Sequence, residues 1–258
     1  YNLKLLGEDP YIFSIAGKDF EYYKGCLKKH KIKHKYIAVD KTDFTAAAYI
    51  LTDNNQNQLT FFSVGALQNQ SKCGDLDFSE KDLKNVSYAI ISPGSPYSML
   101  YFAQSCMERN IPYIFDPGQG LPTLSPDTIL NILDGSDGVI LNRYESDLMS
   151  KKLNMTIDRI SKRTKFLVQT LGKDGTKLYY AGSEKSFLAI TDIKVIDATG
   201  CGDAFRSGFI HGLAASESFE RACEMGSTAA SFVLSSQGTQ NHHFTPADFK
   251  KRLNKYYS

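Results

Sequence analysis

The sequence predicts an α/β protein with a mainly parallel central sheet, helices on both faces, and a small β element set in near the beginning. Three observations carry this. From residue 86 onward, short apolar runs alternate with amphipathic stretches, the pattern of parallel strands joined by crossover helices. Two β-prone runs, residues 45–52 and 58–64, are instead joined directly by the polar link Asp53-Asn54-Asn55-Gln56-Asn57, which reads as a hairpin. Finally, 258 residues with 42% hydrophobic and 22% charged side chains suffice for one large core plus a small appendage.

In order, residues 1–7 read as the last two turns of a helix closed by Gly7. Residues 11–16 form a short strand. Residues 20–30 form a helix with Phe20, Tyr23, Cys26 and Leu27 on one face. The hairpin follows, with an edge hairpin of the main sheet as its alternative. Then strands at 88–92, 113–115, 138–141 and 165–170 alternate with helices at 98–109, 127–133, 144–153 and 157–163. Residues 177–180 and 187–190 read as an antiparallel pair, 193–196 as a further strand, and 219–235 as a helix after the one that begins near Asp203. The lysine-rich patch 28–35 reads as a solvated helix end and loop.

Composition excludes several classes of function. A net charge of +2 implies neither a nucleic-acid nor a membrane partner. Five scattered cysteines, Cys26, Cys73, Cys106, Cys201 and Cys223, include no Cys-x-x-Cys pair and argue for reduced thiols in the cytoplasm. No apolar run reaches the roughly eighteen residues of a membrane span, and no signal peptide is expected.

The stretch Asp197-Ala198-Thr199-Gly200-Cys201-Gly202-Asp203-Ala204-Phe205 carries the chemistry. A turn with two glycines, feeding a helix, lets backbone N–H groups converge where the helix dipole is positive, which makes an anion site. A carboxylate at its mouth, Asp203, is badly chosen to hold an anion and well chosen to take a proton, since nearby phosphate charge would raise its pKa towards that of a general base. The plainer role is a helix cap. A dinucleotide fingerprint would need Gly or Ala at Phe205. A phosphate-binding Gly-Lys-Ser/Thr loop is absent, since Lys18 and Lys173 are each followed by Asp.

Three strand ends carry further signals. Asn142-Arg143-Tyr144-Glu145 puts an amide and a carboxylate on one side of a helix start, either as a capping box or as holders of a hydrated cation. Thr170-Leu171-Gly172-Lys173-Asp174-Gly175 offers glycines for close backbone approach to phosphate and a hydroxyl donor at Thr170, or else a simple glycine turn. Asp116, in Asp116-Pro117-Gly118-Gln119-Gly120, either faces a metal-bound water or braces its turn.

Taken together, these strings resemble the PfkB/ribokinase family of small-molecule kinases over nearly the whole chain. The resemblance implies that Asp203 deprotonates an acceptor hydroxyl and that Gly200, Cys201 and Gly202 hold the transferring phosphate. It implies Mg²⁺ held by Asn142 and Glu145, to which Asp116 is the further candidate ligand read from its strand end, and ATP contacts from Thr170, Gly172, Gly175 and, in the loop 237–242, Asn241. His242 and His243 are expected on the surface. It also implies a ribokinase-like core of residues 1–32 and 67–258, with a β lid of residues 33–66 over the acceptor and a possible homodimer through that lid. Members usually begin with a strand and a Gly-Gly substrate loop ahead of the first helix seen here, so a truncated start is expected.

The strings 45–53, 57–62, 115–122 and 203–206 are similar to the bacterial adenosine-kinase-like branch, which implies adenosine as acceptor. Phe44, Phe61 or Phe62 are suited to stack on a purine, or to fill the lid core. A sugar such as ribose or fructose is the second reading, and an inactive nucleotide-binding fragment the third.

Overall fold

The structure, a computed structural model, describes residues 1–53, 58–69, 71–74 and 80–257. The hairpin link 54–57 lies outside them. Contacts divide the chain into two units, Tyr1–Glu8 with Val86–Ser258, and Asp9–Asn85. The smaller unit thus includes the strand and helix of residues 11–30, which the sequence reading grouped with the large core.

The smaller unit holds β1 (Ser14–Ala16), α2 (Phe20–Lys29), β2 (Ile37–Val39), β3 (Ala47–Thr52), β4 (Gln58–Ser63) and short helices α3 (Ser71–Gly74) and α4 (Glu80–Leu83). The strand β2, which sequence reading missed because it is short and only partly buried and follows a lysine-rich patch read as a solvated loop, pairs in parallel with β1. The predicted hairpin forms as an antiparallel pair with Tyr49 opposite Phe61 and Leu51 opposite Leu59. It is a separate two-stranded sheet and not an edge of the main one.

The larger unit begins with α1 (Asn2–Leu5), closed by Gly7 at φ 96°, a left-handed conformation that costs glycine little. Its sheet runs β10-β9-β8-β7-β6-β5, where β5 is Ala89–Ile91, β6 Tyr113–Phe115, β7 Gly138–Asn142, β8 Phe166–Thr170, β9 Thr176–Tyr180 and β10 Ser183–Phe187. The pairs from β5 to β8 are parallel; β8–β9 and β9–β10 are antiparallel. The helices are α5 (Pro96–Glu108), α6 (Pro126–Asp134), α7 (Arg143–Leu153), α8 (Ile157–Ser161), α9 (Cys201–Ala214), α10 (Phe219–Val233) and α11 (Pro246–Tyr256).

Alternation along the strands feeds two cores. Tyr113, Phe115, Val139, Leu141 and Leu167 pack against α5 to α8, while Ile114, Ile140, Phe166 and Val168 pack on Phe205, Phe209, Ile210 and Leu213 of α9 with Ala222 and Cys223 of α10. A third cluster joins α1, α9, α10 and α11.

Two strand assignments are corrected. The partner of residues 176–180 is Ser183–Phe187, because Ala181 (φ 50°) and Gly182 (φ 74°) make a two-residue turn that brings the chain straight back. Residues 193–196 form no strand: Val195 and Ile196 are exposed, and the segment is tied down by Ile196 N–H donating to the Leu234 carbonyl. The β-branched run imitates a strand because sequence does not reveal that the sheet already ends at β10.

Candidate active site

Parallel strands deliver their carboxyl ends to one edge, and three of the sequence-predicted groups arrive there. Asp116 follows β6, its N–H donating to the Ile91 carbonyl at 2.9 Å. Asn142 ends β7 and pairs in register with Thr170, the end of β8. Such edges are where ligands of open α/β sheets bind.

Gly200 is the N-cap of α9 at φ 85° and ψ 1°, and no side chain caps the helix. The left-handed turn requires a glycine, and a Cβ there would press to 3.1 Å of Thr239. The Cys201 amide is spent within the turn on the Ala198 carbonyl at 3.2 Å, so among the three positions expected to face phosphate its N–H is already used. First-turn amides of a helix lack intrahelical acceptors, which leaves those of Gly202 and Asp203 at the helix start. Asp203 is exposed there, in the first turn. Burial pushes the Cys201 thiol up to about 11, with Asp197 and then Asp203 adding to the shift, so it is no nucleophile at neutral pH.

Asp197 opens the motif, and its geometry gives it a role. One carboxylate oxygen accepts from Thr199 N–H and the other from Gly238 N–H, each at 2.8 Å, which ties the turn before α9 to the loop 237–242. These amides hold its carboxyl below the usual range. In that loop Asn241 donates to the Gln237 carbonyl at 2.8 Å and is exposed. His243 is exposed as expected, whereas His242 is 3% exposed and corrects the surface expectation. Its Nε2 lies 2.6 Å from Asn2 Oδ1, and burial lowers its pKa. Sequence could not show that α1 supplies a partner from 240 residues away.

Asn142 and Glu145 form the full capping box of α7: Glu145 N–H donates to Asn142 Oδ1, and the Asn142 N–H and side-chain amide donate to the two Glu145 oxygens, all at 2.8 Å. Glu145 is buried. In the loop between β8 and β9, Gly172 (φ 61°) has open space around it. Gly175 has a packing reason of its own, since a Cβ would fall 1.9 Å from the Phe187 carbonyl oxygen of β10. Phe44 belongs to the smaller unit, where it is exposed with Lys18 Nζ 4.1 Å from its ring centre.

Asp116 is 3% exposed and only half satisfied. Its Oδ2 lies 2.6 Å from Arg206 Nε, while its Oδ1 has no hydrogen-bond partner among the described residues. Burial pushes its carboxyl up to about 7; Arg206 opposes this, and Glu145 and Asp203 add to it. Asp116 thus feels two further carboxyls as well as the guanidinium beside it. No group of three or more His, Cys, Asp or Glu among the described residues is close enough to hold a metal directly. The donor set still fits a hydrated Mg²⁺, a hard cation that keeps its waters and is held through carboxylate oxygens, and the orphaned Asp116 Oδ1 is an open acceptor for such a water. Arg206 was missed as a site residue. The signal was its place one turn after Asp203, from which a helix side chain leans back towards the N-terminus.

Similarity to known proteins agrees with this geometry. The sequence profile described as "pfkB family carbohydrate kinase" matches residues 1–246. The nucleoside kinase of Methanocaldococcus jannaschii is 30% identical over 98% of this chain and 82% of its own length, and its crystal structure superposes with a TM-score of 0.88, covering 98% of this chain and 83% of that one. The Burkholderia thailandensis nucleoside kinase in complex with inosine is 28% identical with a TM-score of 0.92, covering 100% of this chain and 83% of that one. With strand-end groups, an uncapped glycine turn and an exposed aspartate on the following helix all in place, this chain belongs to the pfkB family of carbohydrate kinases and is a ribokinase-like kinase.

Proposed function

We propose that this kinase transfers the γ-phosphate of ATP to a ribosyl hydroxyl of a purine nucleoside, with adenosine as the acceptor to test first. The observation that carries the reading is the start of α9: a left-handed Gly200 turn without a capping side chain, and an exposed carboxylate, Asp203, in the first turn. The relatives support the acceptor class, since those named above are nucleoside kinases and the Burkholderia thailandensis enzyme has also been solved in complex with ADP-inosine. An adenosine kinase of Schizosaccharomyces pombe is 29% identical over 79% of this chain.

In this reading the Gly202 and Asp203 amides, with the dipole of α9, face the transferring phosphoryl group. Asp203 takes the proton as the acceptor O–H bond breaks; the oxygen attacks the γ-phosphorus, and ADP leaves as the bridging P–O bond breaks. Positioning and charge stabilisation are most of what such a transfer asks of a protein. Thr170 and Gly172 are assigned to the ATP phosphates and Asn241 to the base; Gly175 keeps that role only through its backbone. Asp116, Asn142 and Glu145 would hold Mg²⁺ through water, and bound there the cation would offset the charge of the phosphates. Exposed Phe44 of the smaller unit is assigned to the acceptor, with Phe61 or Phe62 as the alternative. The hairpin exposes apolar side chains on both faces, Tyr49, Leu51, Leu59 and Phe61 on one and Ile50 and Phe62 on the other, which favours pairing between two copies through it.

The test is ADP release from ATP and Mg²⁺ with adenosine, inosine, ribose and fructose. Turnover with a nucleoside and not with a free sugar supports the reading. Turnover only with ribose or fructose replaces it by a sugar kinase. No turnover, with ATP still raising the melting temperature, leaves a nucleotide-binding protein without catalysis.

A further inference from the structure

The ion pair between Arg206 and Asp116 joins two segments that the sequence motifs keep apart, the end of β6 and the start of α9. Its details are unusual for a contact kept only for stability. Arg206 leans back along α9, and a Cβ placed on Gly202 would lie 2.6 Å from its Nη1, so the guanidinium rests directly on the backbone of the phosphate-facing turn. The side chains are 16% exposed for Arg206 and 4% for Asp116. Although Nε and Oδ2 are 2.6 Å apart, Arg206 Nε has no aligned hydrogen bond among the described residues, and neither has Asp116 Oδ1.

A buried carboxylate that needed only neutralising would gain most from the two parallel N–H···O bonds that arginine readily offers, and would leave no oxygen without a partner. Here one oxygen is held and the other is left free. The glycine beneath the guanidinium is part of the same arrangement, because any larger residue at 202 would displace it. Glu145 and Asp203 both act electrostatically on Asp116, so the pair lies within reach of the groups assigned above to cation and proton transfer.

We propose that Arg206 is a positioning residue for phosphoryl transfer: lying on Gly202 and holding Asp116 by Oδ2, it fixes the spacing between the strand-end acid and the phosphate-facing turn, and leaves Oδ1 as the acceptor for a Mg²⁺-bound water. The inference rests on the kinase reading above. It assigns Arg206 no contact with the acceptor.

The experiment compares the wild type with Arg206→Gln and Arg206→Lys, measuring kcat, KM, and the rise in melting temperature on adding ADP with and without Mg²⁺. Lysine keeps the charge but not the fork that spans Gly202 and Asp116, so it separates position from neutralisation. Both variants are expected to lose about 10²-fold in kcat, the size of effect that a displacement of roughly 1 Å produces, with KM little changed. ADP alone should stabilise all three proteins alike, while the additional rise brought by Mg²⁺ should shrink in both variants. A lysine variant with wild-type kcat and the full Mg²⁺ increment would mean that Arg206 only neutralises Asp116, and would overturn the proposal. Should Arg206→Gln fail to fold, Arg206→Lys decides alone. If the wild type releases no ADP with any acceptor and gains no stability from ADP, the kinase reading has failed, and this inference with it.

Discussion

Asp203 and Asp197 stand six residues apart and do opposite things with their carboxylates. Asp203 is exposed at the start of α9, whereas Asp197 spends both oxygens on backbone amides. Replacing Asp203 by Asn keeps shape and removes the proton acceptor, so turnover should fall by about 10²–10⁴-fold while ATP still raises the melting temperature. Full activity in that variant would dismiss Asp203 as the base. Replacing Asp197 by Ala strands two amides that now bond to a charged acceptor, which should cost about 1–3 kcal/mol in chemical denaturation and raise KM for ATP as the loop 237–242 loosens. An unchanged denaturation midpoint would show that water replaces the carboxylate. The motif names both aspartates; only the fold separates the one that is free from the one that is bound.

At the scale of elements, α7 poses a question of dual use. Its capping box satisfies the helix start without any ligand, and Glu145 is buried in doing so. Glu145→Gln retains an acceptor oxygen for the Asn142 N–H but loses the negative charge. It should therefore change stability by less than about 1 kcal/mol while weakening the Mg²⁺ dependence of turnover. Glu145→Ala should lose both, at about 1–2 kcal/mol for the missing half of the box. Equal Mg²⁺ dependence in wild type and Glu145→Gln would leave the residue as a cap alone. The packing of α9 on α10 offers a second check. A Cβ on Gly208 would sit 2.4 Å from the Met225 carbonyl oxygen, which is backbone and cannot rotate away. Gly208→Ala should therefore destabilise by about 1–3 kcal/mol despite its better helix propensity, as read by thermal melting. Periodicity found these helices and most strands, and it failed where length or context decided. β2 is short and only partly buried beside a lysine-rich patch, so its apolar run does not stand out, and the β-branched run at 193–196 imitates a strand with no edge to join.

Across the whole molecule, acid stability should be set in both units by carboxylates that the fold holds down. Asp40 accepts from the Thr42 hydroxyl, Asn69 and the Thr42 amide, which bring its carboxyl to about 2 in the smaller unit. In the larger unit, Lys185 and Tyr180 bring Glu220 to about 2. Both folded values lie below the ordinary carboxylate range. The stability they contribute is therefore present above about pH 4 and lost as pH falls towards 2, where the folded state must also take up the protons. Melting temperatures from pH 5 to pH 2 should fall, and should fall less in Glu220→Gln than in the wild type.

What the sequence determined by itself is whatever depends on local pattern and residue chemistry. Alternating apolar runs dictate a layered α/β core because each strand and helix must bury its apolar side. Glycine at 200 permits the left-handed turn, and the strand-end residues Asp116, Asn142 and Thr170 follow from where each apolar run stops. The tertiary structure alone decided which groups meet. It joined Arg206 to Asp116 across 90 residues, tied Asp197 to Gly238, spent the Cys201 amide inside its own turn, and buried His242 against α1. Those contacts are set by the register of the sheet and the packing of α9 and α10 upon it. Neither leaves a mark in the spacing of residues along the chain, because a side chain's partner in space is chosen by the fold as a whole.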